Sequence, residues 1–232
     1  MRGTIENRDA FLNKIAKKMN RQPEETIKEP VWSYQPQWAV HQNESKNQLV
    51  ELIKRVSQSI HTKVIETDTD HLPQILNQTI HTYGGGRIVA TNDGRFAEFG
   101  LTEVLKQNNV YVWNTEKGHE NIDRADEANI GLSVCDVMLA ESATAGFFHD
   151  KDKARSVSLL PVTSIVIVPE SAIVPRLTQA MKMVEDKVAT GEKISPYINF
   201  ISGPSNSADI EMRLVVGVHG PVKVAYILVQ DV

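Results

Sequence analysis

The sequence predicts an α/β fold, a Rossmann-like, mostly parallel sheet flanked by helices with additional antiparallel strands, and three observations point there. From Glu44 onward, stretches with apolar residues at helical spacing alternate with short β-branched runs over short connections. That alternation is the mark of parallel strands joined by right-handed crossover helices. Residues 163–168 are almost wholly apolar and β-branched, as expected of a central strand covered on both faces. After residue 127 the rhythm changes: the runs 129–134, 137–140 and 144–148 follow one another with no helix between them, which predicts the antiparallel or twisted additions.

Residues 1–43 are expected to form an N-terminal helix and extended strap, and residues 44–232 the α/β domain. Within residues 4–20, Phe11, Leu12, Ile15, Ala16 and Met19 share one stripe with Lys14, Lys17 and Lys18 opposite, which predicts an amphipathic helix. Between residues 21 and 43, Pro23, Pro30 and Pro36 interleave with Trp32, Tyr34 and Trp38. No helix survives that proline spacing, and the rings suit anchoring of an extended strap. Helix and strap together suit a subunit contact, so a homodimer is expected.

In the α/β domain, Leu49, Leu52, Ile53, Val56 and Ile60 predict a helix, residues 63–66 a strand, and residues 70–81 a second helix ending at Gly84, Gly85 and Gly86. The triple glycine precedes its strand, so it fits a helix C-cap rather than a phosphate loop. Residues 87–90 and 110–113 predict strands on either side of a helix over 97–107, and residues 120–127 a helical turn. Thr91, Asn92, Asp93, Gly94 and Arg95 follow a strand and lead into a helix, the position of ligand loops in open sheets and equally of an ordinary capping turn. Pro175 opens a helix reaching Thr190, closed by Gly191, with Met181 and Met183 expected as core filler. Residues 197–201 and 222–229 predict the last two strands.

Composition excludes several function classes. A formal charge of −4 and a pI near 6.0 offer no electrostatic footprint for nucleic acid or an anionic membrane. The start lacks an apolar signal segment and no apolar stretch approaches a membrane span, so a cytoplasmic, membrane-free protein is expected. Cys135 is the single cysteine; the chain can form no internal disulfide and cannot hold an iron–sulphur cluster, which needs about four thiolates. His41, His61, His71, His81, His119 and His149 lack ligand spacing, and no metal is expected. Cys135 is expected to be a semi-buried, inert thiol.

Polar groups concentrate in two places. Residues 201–211 and 217–221 place Ser205, Ser207, Asp209, Glu211, Arg213 and His219 on Gly/Pro turns between apolar runs. Gly203-Pro204 should stop the strand, and Ser205 or Ser207 should cap a helical turn whose free N–H groups make an anion cradle. Earlier, Glu141 ends a strand-like run beside Ser142 and Thr144, and Arg155 lies beyond the charged tip 150–153. Its guanidinium suits pairing with Glu141 or bidentate contact to a ligand anion.

Gly203-Pro204-Ser205-Asn206-Ser207-Ala208-Asp209-Ile210-Glu211, followed by Gly217-Val218-His219-Gly220-Pro221, resembles the C-terminal signature of the lactate utilization protein C family, the stand-alone form of the LUD domain. Residues 140–146, then 155–161, resemble the family's second block, and the resemblance spans about residues 45–232. Asn206-Ser207 stand where the family usually has Arg-Thr, and Ser142-Ala143 where it has Thr-Gly. The resemblance implies the architecture of glucosamine-phosphate deaminases, ribose-phosphate isomerases and CoA transferases, with a cleft at the C-terminal ends of the parallel strands. It also implies a part in oxidising L-lactate to pyruvate beside two partners that carry iron–sulphur chemistry.

Two readings stay open. In one, the chain is a non-redox subunit or accessory protein that binds lactate, pyruvate or an organic cofactor whose identity the sequence leaves unknown. In the other it is a free-standing enzyme on a small anionic metabolite, with Glu141, His219 and Asp209 as acid–base groups and Ser142, Thr144, Arg155, Ser205 and Ser207 holding the ligand.

Overall fold

The structure is a computed structural model and describes residues 6–22, 30–209 and 211–231. Residues 4 and 5 of the expected N-terminal helix, Pro23 and Ile210 of the signature lie outside the described residues. The chain divides into two compact units, residues 1–36 and 37–232. In the first, α1 (Arg8–Lys18) is shorter than its apolar stripe, because Met19 already serves as C-cap, and none of its residues is buried. Described residues 30–35 carry neither helix nor strand, and the helix-free expectation for 21–43 is broken only by a three-residue 3-10 turn at Pro36–Trp38 among the described residues.

The second unit runs α2 (Lys46–Ser59), β1 (Thr62–Asp68), α3 (Leu72–Thr82), β2 (Ile88–Ala90), α4 (Arg95–Glu98), α5 (Thr102–Gln107), β3 (Tyr111–Val112), α6 (Glu120–Asp126), β4 (Ile130–Val134), β5 (Val137–Leu139), β6 (Thr144–His149), α7 (Ser156–Leu159), β7 (Thr163–Pro169), β8 (Ile173–Val174), α8 (Leu177–Ala189), β9 (Tyr197–Ile201), β10 (Asn206–Ser207), β11 (Val215–Val216) and β12 (Lys223–Gln230). Local chemistry sets the boundaries. Ser45 and Gln48 form a reciprocal capping box that starts α2. At the end of α3 the Gly85 N–H reaches back to the Ile80 carbonyl at 2.9 Å, with Gly84 and Gly85 in the left-handed region, as the triple glycine predicted. The single helix expected over residues 97–107 is instead two, because Gly100 turns the chain at φ 68 and the Leu101 N–H closes on the Phe96 carbonyl.

Six strands form a parallel sheet in the order β1-β12-β7-β4-β2-β3. A second sheet, β8-β5-β6-β9, carries antiparallel β5·β6 and β6·β9 pairs, and β10 pairs with β11 as a small separate ribbon. One prediction needs correcting here. Residues 129–134 were expected among the antiparallel additions, yet β4 is a parallel strand of the main sheet, since α6 before it serves as its crossover. Gly131 in β4 admits α7 at close range, for a Cβ there would stand 2.0 Å from the Val157 carbonyl oxygen.

Alternation along β7 and β12 divides the core. Val166, Val168, Val224, Tyr226 and Leu228 face Leu49 and Ile53 of α2 and Met138, Ala145 and Phe147 of the second sheet. Ile165, Ile167, Ala225, Ile227 and Val229 face Leu72, Leu76 and Ile80 of α3 with Phe96 and Leu101. Each fully buried Leu or Ile contributes about 1.5–3 kcal/mol by leaving water, so both faces of β7 and β12 are held by apolar burial. In α8 only Ala180 is buried, and Met181 and Met183 are exposed rather than core filler.

Candidate functional site

A cavity of about 290 Å³ opens where the two sheets meet. Ser164 and Val166 of β7, Val224 and Tyr226 of β12, Ala145 and Phe147 of β6, and Phe200 and Ile201 of β9 wall it, with residues 202–206 and 219–221 at the mouth. These are the opening residues of β7 and β12, so the cavity lies towards the N-terminal ends of the parallel strands, not the C-terminal ends that the resemblance implied.

Tyr226 is the floor. Its side chain is 1% exposed; its hydroxyl accepts from the Gly203 N–H at 3.2 Å and faces the carbonyls of Ala143 at 3.1 Å and Ile201 at 3.3 Å. Burial pushes its phenol up to about 12. Gly203 has φ 64, and a Cβ there would sit 2.6 Å from the Ile60 carbonyl oxygen, so only glycine turns the chain over this floor. Beside it, Thr144 Oγ1 lies 2.7 Å from Ser142 Oγ and 2.5 Å from Ser202 Oγ. This chain of hydroxyls reaches the cavity through Ser202. Ser158, buried in the wall, has a hydroxyl with no partner among the described residues.

At the mouth, the Ser205 N–H donates to the Pro221 carbonyl and the Ser205 carbonyl accepts from the Gly217 N–H, both at 2.9 Å. Ser205 Oγ accepts from the His219 N–H at 3.3 Å. The helical cap expected after Gly203-Pro204 is replaced by the β10–β11 ribbon, because Asn206 and Ser207 pair with Val216 and Val215. Ser207 Oγ donates to Asp209 Oδ2 at 2.7 Å, and His219 Nε2 is 3.5 Å from the same oxygen, both partners being exposed.

The two blocks singled out in the sequence therefore meet, but only in part. Ser142 and Thr144 join the Ser202 loop, Ser205 and His219 line the cavity, and Ser207 with Asp209 stands beside it. Glu141 does not enter. It accepts from Arg176 Nε at 2.7 Å, while Arg176 also reaches the Gln37 carbonyl. Arg155, just before α7, stands 5.5 Å over the Tyr197 ring beside a different cavity. Among the described residues no Lys, Arg, Asp or Glu lines the 290 Å³ cavity, so a ligand there meets hydroxyls, amides, the His219 side chain and apolar walls.

The C-terminal ends of β2 and β4 carry a charge cluster. Arg95 donates to Asp93 through Nε and Nη2, to Asp136 at 2.9 Å, and to the carbonyls of Val134 and Cys135. Lys153 reaches Asp136 at 3.1 Å. Burial alone would raise the Asp93 carboxyl, and the hydrogen bonds and charge of Arg95 outweigh it, holding the group below the usual carboxylate range. Cys135 is fully buried rather than semi-buried, and burial pushes its thiol far up. Among the described residues no group of three or more His, Cys, Asp or Glu side chains is placed to hold a metal ion, and no helix is long and apolar enough to cross a membrane.

Fold and cavity define a two-sheet α/β protein, and the family model described as LUD domain matches its residues 50–229. Full-length similarity narrows this. The chain is 46% identical over 237 residues to Lactate utilization protein C of Geobacillus thermodenitrificans and 45% identical over 237 residues to Lactate utilization protein C of Bacillus subtilis, each match covering 99% of both proteins. The chain belongs to the lactate utilization protein C family of LUD domain proteins. A crystal structure of a DUF162 family protein from Deinococcus radiodurans shares the fold, with a TM-score of 0.58 at 21% identity over 81% of this chain and 99% of that one.

Tyr226 was not expected at the site, and Ser158 and Ser202 were passed over within the stretches 155–161 and 201–211. A lone hydroxyl inside the apolar run 222–229 was the available signal for Tyr226, since a buried phenol needs partners. Nothing local announced Ser158.

Proposed function

We propose that this chain is a non-redox component of L-lactate utilisation, working in the cytoplasm beside two iron–sulphur partner proteins that take the electrons as L-lactate becomes pyruvate. The observation that carries this is the end-to-end similarity to proteins named Lactate utilization protein C. The thiol inventory supports the division of labour: the sole cysteine is sealed in the core, and a cluster needs about four thiolates. The cavity over Tyr226, which no described Lys, Arg, Asp or Glu lines, suits an organic group held by hydroxyls, backbone amides and His219.

The test is genetic. Deleting the coding gene from its host is expected to abolish growth on L-lactate as sole carbon source while leaving growth on pyruvate, and restoring the chain is expected to rescue it. Undiminished growth of the deletion strain on L-lactate would overturn the reading.

A second reading, a free-standing enzyme on a small metabolite, draws on the Asp209–His219 pair beside Ser205, since an imidazole next to a carboxylate is a proton-transfer arrangement. Turnover by the purified chain alone, lost in His219→Ala, would establish it.

A further inference from the structure

The cavity over Tyr226 is lined by two hydroxyls with hydrogens to give. Ser164, at the start of β7, is 5% exposed and lies two residues before Val166, so its side chain shares the face of the strand that looks to the second sheet. It lines the cavity and makes no hydrogen bond among the described residues. Unlike the Ser158 oxygen, its oxygen is not sealed from solvent. At the mouth, Ser205 Oγ accepts from the His219 N–H at 3.3 Å, and its own hydrogen has no acceptor among the described residues. Gly220 leaves it room, for a Cβ there would stand 3.2 Å from the Ser205 Cβ. The fold brings the two serines together: Ser164 is in register with Val224, and the Ser205 N–H is bonded to Pro221, three residues earlier on the approach to β12.

The rest of the lining offers area without charge. The Tyr226 hydroxyl is engaged with Gly203, Ala143 and Ile201, so its ring is what remains for a guest, beside Phe147 and Phe200. Among the described residues no Lys or Arg lines the cavity, and His219 Nε2 is 3.5 Å from the Asp209 carboxylate. A carboxylate entering here would leave water without meeting a free cation, and an alkyl chain would leave both serine hydroxyls unpaired. A flat ring with carbonyl oxygens answers both demands, its faces on aromatic walls and its oxygens accepting from the serines. At about 290 Å³ the cavity is at the small end of ligand pockets, which run to about 1,000 Å³, so it fits one fused ring system rather than a nucleotide.

We propose that this cavity is a cofactor site for an uncharged planar ring bearing carbonyl oxygens, its faces against Tyr226 and Phe147 and its oxygens on Ser164 and Ser205, and that it turns lactate away. The assignment rests on the reading above that the cavity serves an organic group, and it names the class of that group. Quinone head groups and flavin rings share this chemistry. Either is a bound guest, and the chain's own residues still carry no redox group.

Equilibrium dialysis of the full chain with matched probes tests it. Naphthamide and naphthoate share a shape and differ in charge; the amide is expected to bind at least tenfold more tightly, because the carboxylate meets no free cation. Menadione and lumiflavin tell the two sources apart, the tighter binder naming a quinone head or a flavin ring. L-lactate is expected to displace neither. Ser164→Val exchanges the hydroxyl for methyl groups and is expected to weaken the tighter ring at least tenfold, while the melting temperature holds or rises because an unpaired buried hydroxyl is gone. Equal binding of amide and acid, no binding of either ring, displacement by L-lactate, or undiminished ring binding by Ser164→Val each overturns the proposal; should Ser164→Val not fold, the other three comparisons decide it. Growth separates this from the broader reading. A deletion strain that fails on L-lactate but is fully rescued by Ser164→Val removes this site and leaves the role, whereas a deletion strain that grows removes the role itself.

Discussion

The Arg95 guanidinium stands 2.9 Å from the Asp136 carboxylate across 41 positions of sequence, and so fastens the loop after β2 to the residues after β4. The Asp93 side chain is 7% exposed and that of Asp136 15%, so removing the cation strands two largely covered carboxylates. Arg95→Ala is expected to cost about 3 kcal/mol, the lower end of the range for breaking a buried pair, since Lys153 still faces Asp136. Urea unfolding of the two proteins measures it, and a loss within experimental error would show the cluster to be solvated.

The same cluster carries a pH signature. The folded Asp93 carboxyl sits below its unfolded value of about 3.9, so its stabilisation is fully present above that pH and is lost as pH falls through the folded value. In Arg95→Ala, burial without a partner raises the group, and the sign reverses. The stability gap between the two proteins is therefore expected to narrow on acidification below about pH 4. Paired urea midpoints between pH 3 and pH 7 would show it, and a constant gap would argue against a titrating Asp93.

Tyr226→Phe keeps the ring that floors the cavity and deletes only the hydroxyl that holds Gly203. With the Gly203 N–H left unpaired, a loss of about 1–3 kcal/mol is expected. Amide exchange at Gly203 should accelerate with it. Unchanged protection there would mean that the loop is held by other contacts.

Glu141→Gln is expected to change stability by less than about 1 kcal/mol, because its pair with Arg176 is partly exposed, 40% and 25%. It is also expected to leave ligand binding over Tyr226 intact, the residue lying outside that cavity. Loss of binding on this substitution would return Glu141 to the site.

Self-association is expected through residues 1–43. Phe11 of α1 is 64% and its C-cap Met19 55% exposed, and an apolar stripe of this kind seeks a partner. Light scattering of the full chain and of a chain lacking residues 1–43 should give at least a dimer and then a smaller species; a monomer mass in both would refute it.

Most of the parallel sheet was legible because its strands are buried on both faces and its helices carry an apolar stripe, patterns that local spacing encodes. Residues 163–168 announced β7 in this way. The assignment of residues 129–134 failed because a buried parallel strand and a buried antiparallel one read alike, and only α6 as crossover separates them. Polar residues on Gly/Pro turns drew attention to Ser205 and His219, which line the cavity over Tyr226, whereas the position of Arg155 depends on how the 150–155 tip folds against Tyr197, a contact 42 positions away from it in sequence. The Arg95–Asp136 pair was invisible for the same reason.

β12 pairs with β1 over residues 224–230 on one side and with β7 over residues 223–229 on the other. Both neighbours are translated well before it, β1 ending at residue 68 and β7 at residue 169, while β12 begins at residue 223. A nascent chain emerging from the ribosome therefore displays two bare sheet edges, each a template for pairing with another chain, until the intervening strand is made. Closure of the parallel sheet therefore waits on residues 223–230, and it is slow to the extent that its pairings are distant in sequence.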